Sequence, residues 1–179
     1  MFCFQCQEAA GNVGCTVKGV CGKDDTTANL MDLLVHTLKG IAVVDDRASL
    51  NDRQVDEAGR FITDALFATI TVANFDPARF EEYIGAALEL RERLKGESGL
   101  SDEGLPDAAT WNAADRSGYL REASEVNPKQ ATENADIRSL RELIIYGLKG
   151  LSAYTSHARI LGHENREMYR DILRNLAAT

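Results

Sequence analysis

Four cysteines, Cys3, Cys6, Cys15 and Cys21, fall within the first 21 positions, and the following 158 residues contain none. Their spacing is Cys-x2-Cys-x8-Cys-x5-Cys, and Gly11, Gly14, Gly19 and Gly22 interleave with them. Glycine permits positive φ and close backbone approach, which a loop wrapped around a small inorganic object requires. Three uses of the thiols compete. Structural disulfides suit oxidising compartments, which nothing in this sequence indicates. A structural zinc ion takes four thiolates in a tetrahedron, although zinc ribbons usually present two tight Cys-x2-Cys pairs. An iron–sulfur cubane also takes four thiolates, and Lys18 and Lys23 would suit its negative charge. The spacing matches neither of the two commonest ferredoxin patterns, so zinc and iron–sulfur both stay open on spacing alone.

Beyond residue 25 the chain reads as helices. Asp24-Asp25-Thr26-Thr27 offers capping chemistry, and Leu30, Leu33, Leu34, Leu38, Ile41 and Val44 recur at spacings of three and four. This predicts a helix over about 26–48. Asn51-Asp52 restarts the chain for a second helix over about 52–73. Asn74-Phe75-Asp76-Pro77 then gives a stop, a cap and a proline at the first helical position of a third, about 77–95. Glycines and prolines punctuate 96–131, where only about 115–125 looks helical and Trp111 reads as an anchor packing the connection down. Two further helices are expected over about 133–161 and 164–177, separated by Gly162. No stretch alternates as a strand does, so the expected class is all-α. The expected organisation is a cysteine loop at 1–25, a three-helix bundle at 26–96, an irregular connection at 97–131 and a partial second bundle at 132–179.

An internal repeat supports two related bundles. Leu30, Leu33, Leu38, Lys39 and Gly40 match Leu140, Leu143, Leu148, Lys149 and Gly150 at a constant offset of 110 positions. Mid-helix glycine costs about 1 kcal/mol relative to alanine, so Gly40 and Gly150 are both expected to admit a close neighbour. With only two helices in the second bundle, Leu148, Leu151, Ile172, Leu173 and Leu176 are expected to border a gap, covered by self-association, by a helix exchanged between chains or by rearrangement of the 96–131 connection.

Charge narrows the partners. The chain carries 20 Lys+Arg against 28 Asp+Glu, a net charge of −8, which disfavours nucleic acid. No uninterrupted apolar run reaches the ~18 residues of a membrane span, and no basic-then-apolar leader opens the chain, so the expected location is the cytoplasm. His36, His157 and His163 read as packing or polar-face residues, and no residue is assigned a catalytic role.

The segments Met1-Phe2-Cys3-Phe4-Gln5-Cys6-Gln7-Glu8 and Gly14-Cys15-Thr16-Val17-Lys18-Gly19-Val20-Cys21-Gly22-Lys23 closely resemble the start of the hybrid cluster protein (prismane, hydroxylamine reductase) family. The resemblance continues through Thr27–Leu34 and Val72–Asp76, and returns at Leu143–Gly150, Ala153-Tyr154 and His157-Ala158. It implies a helical domain of two three-helix bundles in which Cys3, Cys6, Cys15 and Cys21 ligate a [4Fe-4S] cluster. It further implies hydroxylamine reduction at a second, hybrid iron–sulfur–oxygen cluster held by later domains. With every cysteine of this chain already assigned, an electron-transfer role is expected here; the alternative is a zinc-stabilised or metal-free helical interaction module without a redox role. The implied partners are the remaining domains of a full-length enzyme and an unidentified electron-donor protein.

Overall fold

Capping residues set the helix starts where the sequence places them. The computed structural model describes every residue except Met1, Phe4, Gln7 and Glu8, so those four positions of the opening motif lie outside the described residues. Helix α1 spans Asp25–Ala48, with the Asp24 carboxylate accepting from the Thr27 amide at 2.7 Å. Helix α2, Asp52–Ala68, opens with a reciprocal capping box between Asn51 and Gln54. Helix α3, Pro77–Ser98, starts with Asp76 as cap and the proline at the first turn. Two short helices, α4 (Asp107–Thr110) and α6 (Pro128–Ala131), flank α5 (Arg116–Glu125) in the connection. Helices α7 (Ala135–Ile160) and α8 (Arg166–Ala177) complete the chain. The class is all-α: the only sheet-type pairing among the described residues is an isolated bridge between Cys3 and Cys15.

Two ends differ from expectation. Helix α2 stops at Ala68, five residues early, where the run Thr69-Ile70-Thr71-Val72 is β-branched throughout and Val72 takes a left-handed φ of 62°. Helix α3 runs through Gly96 and ends against Gly99, whose φ of 70° supplies the left-handed cap. A glycine ends a helix only where the chain uses its positive φ, and Gly96 does not.

Helix α1 is the axis of the packing. It lies against α3 on one side and α8 on another, with α4 and α5 also seated on it, while α2 packs chiefly on α7 and α8. One buried apolar cluster draws on α1, α2, α3, α5, α7 and α8, so helices from both sides of the connection share a core. By length and composition α1 is apolar enough to cross a membrane, which the count of uninterrupted apolar residues missed; most of it is buried by the other helices. Trp111 packs on this core as expected.

The expected gap is filled. Ile172, Leu173 and Leu176 are fully buried and Leu148 nearly so, because α8 seats between α1 and α2 instead of pairing with α7 alone. Arg166 of α8 reaches Asp56 and Asp52 on α2, and Arg60 of α2 reaches Glu164. Gly59 makes room for the approach: a Cβ there would lie 2.2 Å from the Tyr169 ring. Exposed apolar residues lie elsewhere; on the N-terminal half of α7 they are Ile137, Leu140, Leu143, Ile144 and Tyr146.

Candidate metal centre

The cysteine loop is folded back on itself by its own backbone. Cys3 and Cys15 exchange two hydrogen bonds, N to O, at 3.0 and 2.7 Å, which brings the first and third cysteines side by side. The Val13 and Gly14 amides donate to the Ala10 carbonyl, turning the long x8 interval through Gly11 (φ 61°). Farther on, the Gly19 amide donates to Lys23 O and the Gly22 amide to Gly19 O, closing a tight turn that presents Cys21. Glycine is required at 19 for space, since a Cβ would meet the Cys21 sulfur at 3.0 Å.

All four cysteines, none in a disulfide, line one small cavity, together with Gln5, Gly19, Lys23, Met31 and Thr71. Cys15 is buried and the other three are half-buried.

Charge in the cavity is unbalanced in a way that suits an anion. Lys23 is 3% exposed, and among the described residues its ammonium finds no hydrogen-bond acceptor; it stands 4.5 Å from the centroid of the Phe75 ring. Burial pulls the Lys23 pKa down, opposed by Cys21, Cys3 and Cys6. A buried cation without a hydrogen-bond acceptor is costly, and a cluster with anionic thiolates would supply one. Lys18, the other lysine expected here, is exposed.

Behind the loop stands a polar support the sequence reading missed. Lys149 of α7 donates to Gln5 Oε1 at 2.7 Å, and Gln5 Nε2 donates to Glu142 Oε2 at 3.3 Å. The side chain between Cys3 and Cys6 is thereby held by two residues of one helix. Asp32 of α1 lies opposite Lys149; burial raises the Asp32 carboxyl and lowers the Lys149 ammonium, each opposed by the other's charge. Burial also pushes the Cys3 thiol up, with Asp32 adding to the shift and a backbone hydrogen bond opposing it. The available signal was Lys149 itself, a charge on the face where α7 otherwise buries Ile145 and Leu148.

The repeat is half functional in the expected sense. A Cβ on Gly40 would lie 1.9 Å from the Ala108 carbonyl oxygen, so α4 does approach α1 through that glycine. Gly150 has nothing within 4 Å of its Cβ position, against expectation, because no element crosses α7 there among the described residues. Of the histidines, His157 packs edge-on against Phe67, whereas His36 pairs with Asp107 at 3.0 Å.

Comparison with known proteins places this architecture. The model of the Prismane/CO dehydrogenase family matches residues 1–179. A hydroxylamine reductase of Halothermothrix orenii is 49% identical over the whole chain, which covers 34% of that protein. The hydroxylamine reductase of Nitratidesulfovibrio vulgaris is 47% identical, again over the whole chain and 34% of its own length. That of Methanocaldococcus jannaschii is 47% identical over 97% of the chain and 32% of its length. The chain thus spans about a third of the curated relatives it matches.

Proposed function

Because the chain belongs to the Prismane/CO dehydrogenase family, we propose that it acts as the iron–sulfur electron-transfer domain of a hydroxylamine reductase. Cys3, Cys6, Cys15 and Cys21 would hold a [4Fe-4S] cluster, one thiolate per iron. The observation that carries this reading is the single cavity lined by all four thiols and by a buried lysine lacking an acceptor.

Such a cluster supplies one-electron storage and transfer when bound. The chain's own residues set its surroundings. Lys23 contributes a positive charge against the thiolates, favouring the reduced, more negative state. Lys149 and Glu142, through Gln5, fix the backbone that carries Cys3 and Cys6. Met31 and Thr71 close the cavity from α1 and from the turn after α2. All four cysteines are committed to this centre, so the catalytic hybrid cluster would be held by further domains of the enzyme. The exposed Leu140–Tyr146 face of α7, adjoining Glu142 and the loop, is where we place their contact.

Anaerobic assay of iron, zinc and acid-labile sulfide tests the proposal. About four irons and four sulfides per chain are expected, with the visible absorbance largely lost in each Cys→Ser variant. Stoichiometric zinc without iron would overturn it. The 179-residue chain loaded with cluster should not turn over hydroxylamine with a reduced dye; steady turnover would mean a substrate site lies within this chain.

A further inference from the structure

A second group of metal-ligating side chains lies away from the cysteine loop, where α1, α4 and α5 meet. His36 of α1, Asp107 of α4 and Glu122 of α5 place one ligand atom each within 4.8 Å of the other two. His36 Nε2 and Asp107 Oδ2 are 3.0 Å apart. Two ligands of a tetrahedral ion with bonds of ~2.0–2.1 Å stand about 3.3 Å apart, so this pair already has the required separation. Glu122 supplies the third donor, within 4.8 Å of both.

The position of Asp107 is not left to chance. Arg91 is completely buried and donates to the Ala108 carbonyl at 2.8 Å and to the Trp111 carbonyl at 2.5 Å. Lys95 donates to the Ala109 carbonyl at 3.2 Å. Together with the close passage at Gly40, these bonds pin a helix of four residues onto α1 with its carboxylate over the imidazole.

Two further observations bear on a bound cation. Asp107 and Glu122 are like charges facing one another, and among the described residues neither pairs with a lysine or arginine. The cavity of about 400 Å³ that His36 and Asp107 line is also lined by Asp32, one helical turn earlier on α1, and by the cations Lys39, Arg138 and Arg141. It leaves room beside His36 and Asp107 for the remaining water of a three-ligand site. We infer that His36, Asp107 and Glu122 form a site for a borderline divalent cation of the zinc class, clamping the α4–α5 connection to α1. Imidazole with two carboxylates suits zinc or cobalt, and it is distinct in chemistry from the thiolate set.

Cobalt(II) is the probe, because its spectrum reports its ligands. On the wild-type chain it should populate two classes of site: one with intense sulfur-to-metal charge transfer from the cysteines, and one with weak ligand-field bands only. His36→Ala and Asp107→Asn should each weaken the second class at least ~10-fold, the least that loss of even an outer supporting group costs. Cys15→Ser should leave the second class unchanged. If His36→Ala fails to fold by circular dichroism, Asp107→Asn decides, since the Asp107 side chain is 64% exposed and contributes little packing. Cobalt bound with thiolate charge transfer alone, or a weak-band class that survives Asp107→Asn, would overturn the site.

Discussion

Gly40 and Gly150 occupy the same place in two copies of Leu-Lys-Gly, yet the structure surrounds them differently. A Cβ at Gly40 collides with the Ala108 carbonyl, a backbone atom held in place by Arg91, with Lys95 holding the next carbonyl, that of Ala109. Overpacking of this kind costs about 1–3 kcal/mol. The gain in helix propensity, about 1 kcal/mol, does not offset it. Gly40→Ala should therefore lower the midpoint of urea unfolding. Gly150→Ala meets open space and should raise it, by up to about 1 kcal/mol. Opposite signs at matched positions would establish that tertiary contact, not the repeat itself, explains the first glycine. A shared sign would refute that.

At the scale of elements, two attachments can be separated. The connection carrying α4 hangs on the buried Arg91, and Arg91→Met would leave the Ala108 and Trp111 carbonyls unpaired. An unsatisfied buried polar group costs about 1–3 kcal/mol, so a loss of at least about 2 kcal/mol is expected in denaturant titration. Helix α8 is attached by a different chemistry. Arg166 holds the Asp56 carboxyl below its ordinary range, and Arg60 does the same for Glu164. A carboxylate whose pKa is lower in the folded state adds stability that is present above its unfolded pKa of about 4 and lost as pH falls through the folded value. Thermal stability should therefore drop as pH is lowered from about 5 to 3. The drop should be shallower in Arg166→Ala, which starts less stable. An unchanged pH profile would show that these surface pairs are screened and contribute nothing.

For the whole molecule, the informative contrast is between two sets of leucines on α7 and α8. Leu173 is fully buried between α1 and α2, whereas Leu143 is 66% exposed on the outer face of α7. Leu173→Ala should cost about 2–5 kcal/mol. Leu143→Ser should change stability by no more than about 0.5 kcal/mol, and light scattering should show reduced association of the isolated chain. A large loss for Leu143→Ser would mean that the exposed face is already covered in solution by another part of the chain or by a second copy.

Much of this could be read from the residues in order. Helix starts are local: Asp24, Asn51 and Asp76 cap them by reaching amides two or three positions ahead, and their side chains need no distant partner. Helical periodicity is equally local, and so is the clustering of four cysteines among glycines. The family resemblance is most specific in that same loop. What the sequence could not determine is which helix meets which. Two-bundle reasoning left Ile172, Leu173 and Leu176 beside a gap, because amphipathic pattern says that a stripe is buried and never against what. The docking of α8 on α1 and α2 rests on the hole at Gly59 and on charges about a hundred positions away. The same limit hid the support of the cysteine loop by Lys149 and Glu142, and the meeting of His36, Asp107 and Glu122. Each joins residues whose separation along the chain exceeds any periodic signal, and only the folded packing of three or more helices brings them within reach.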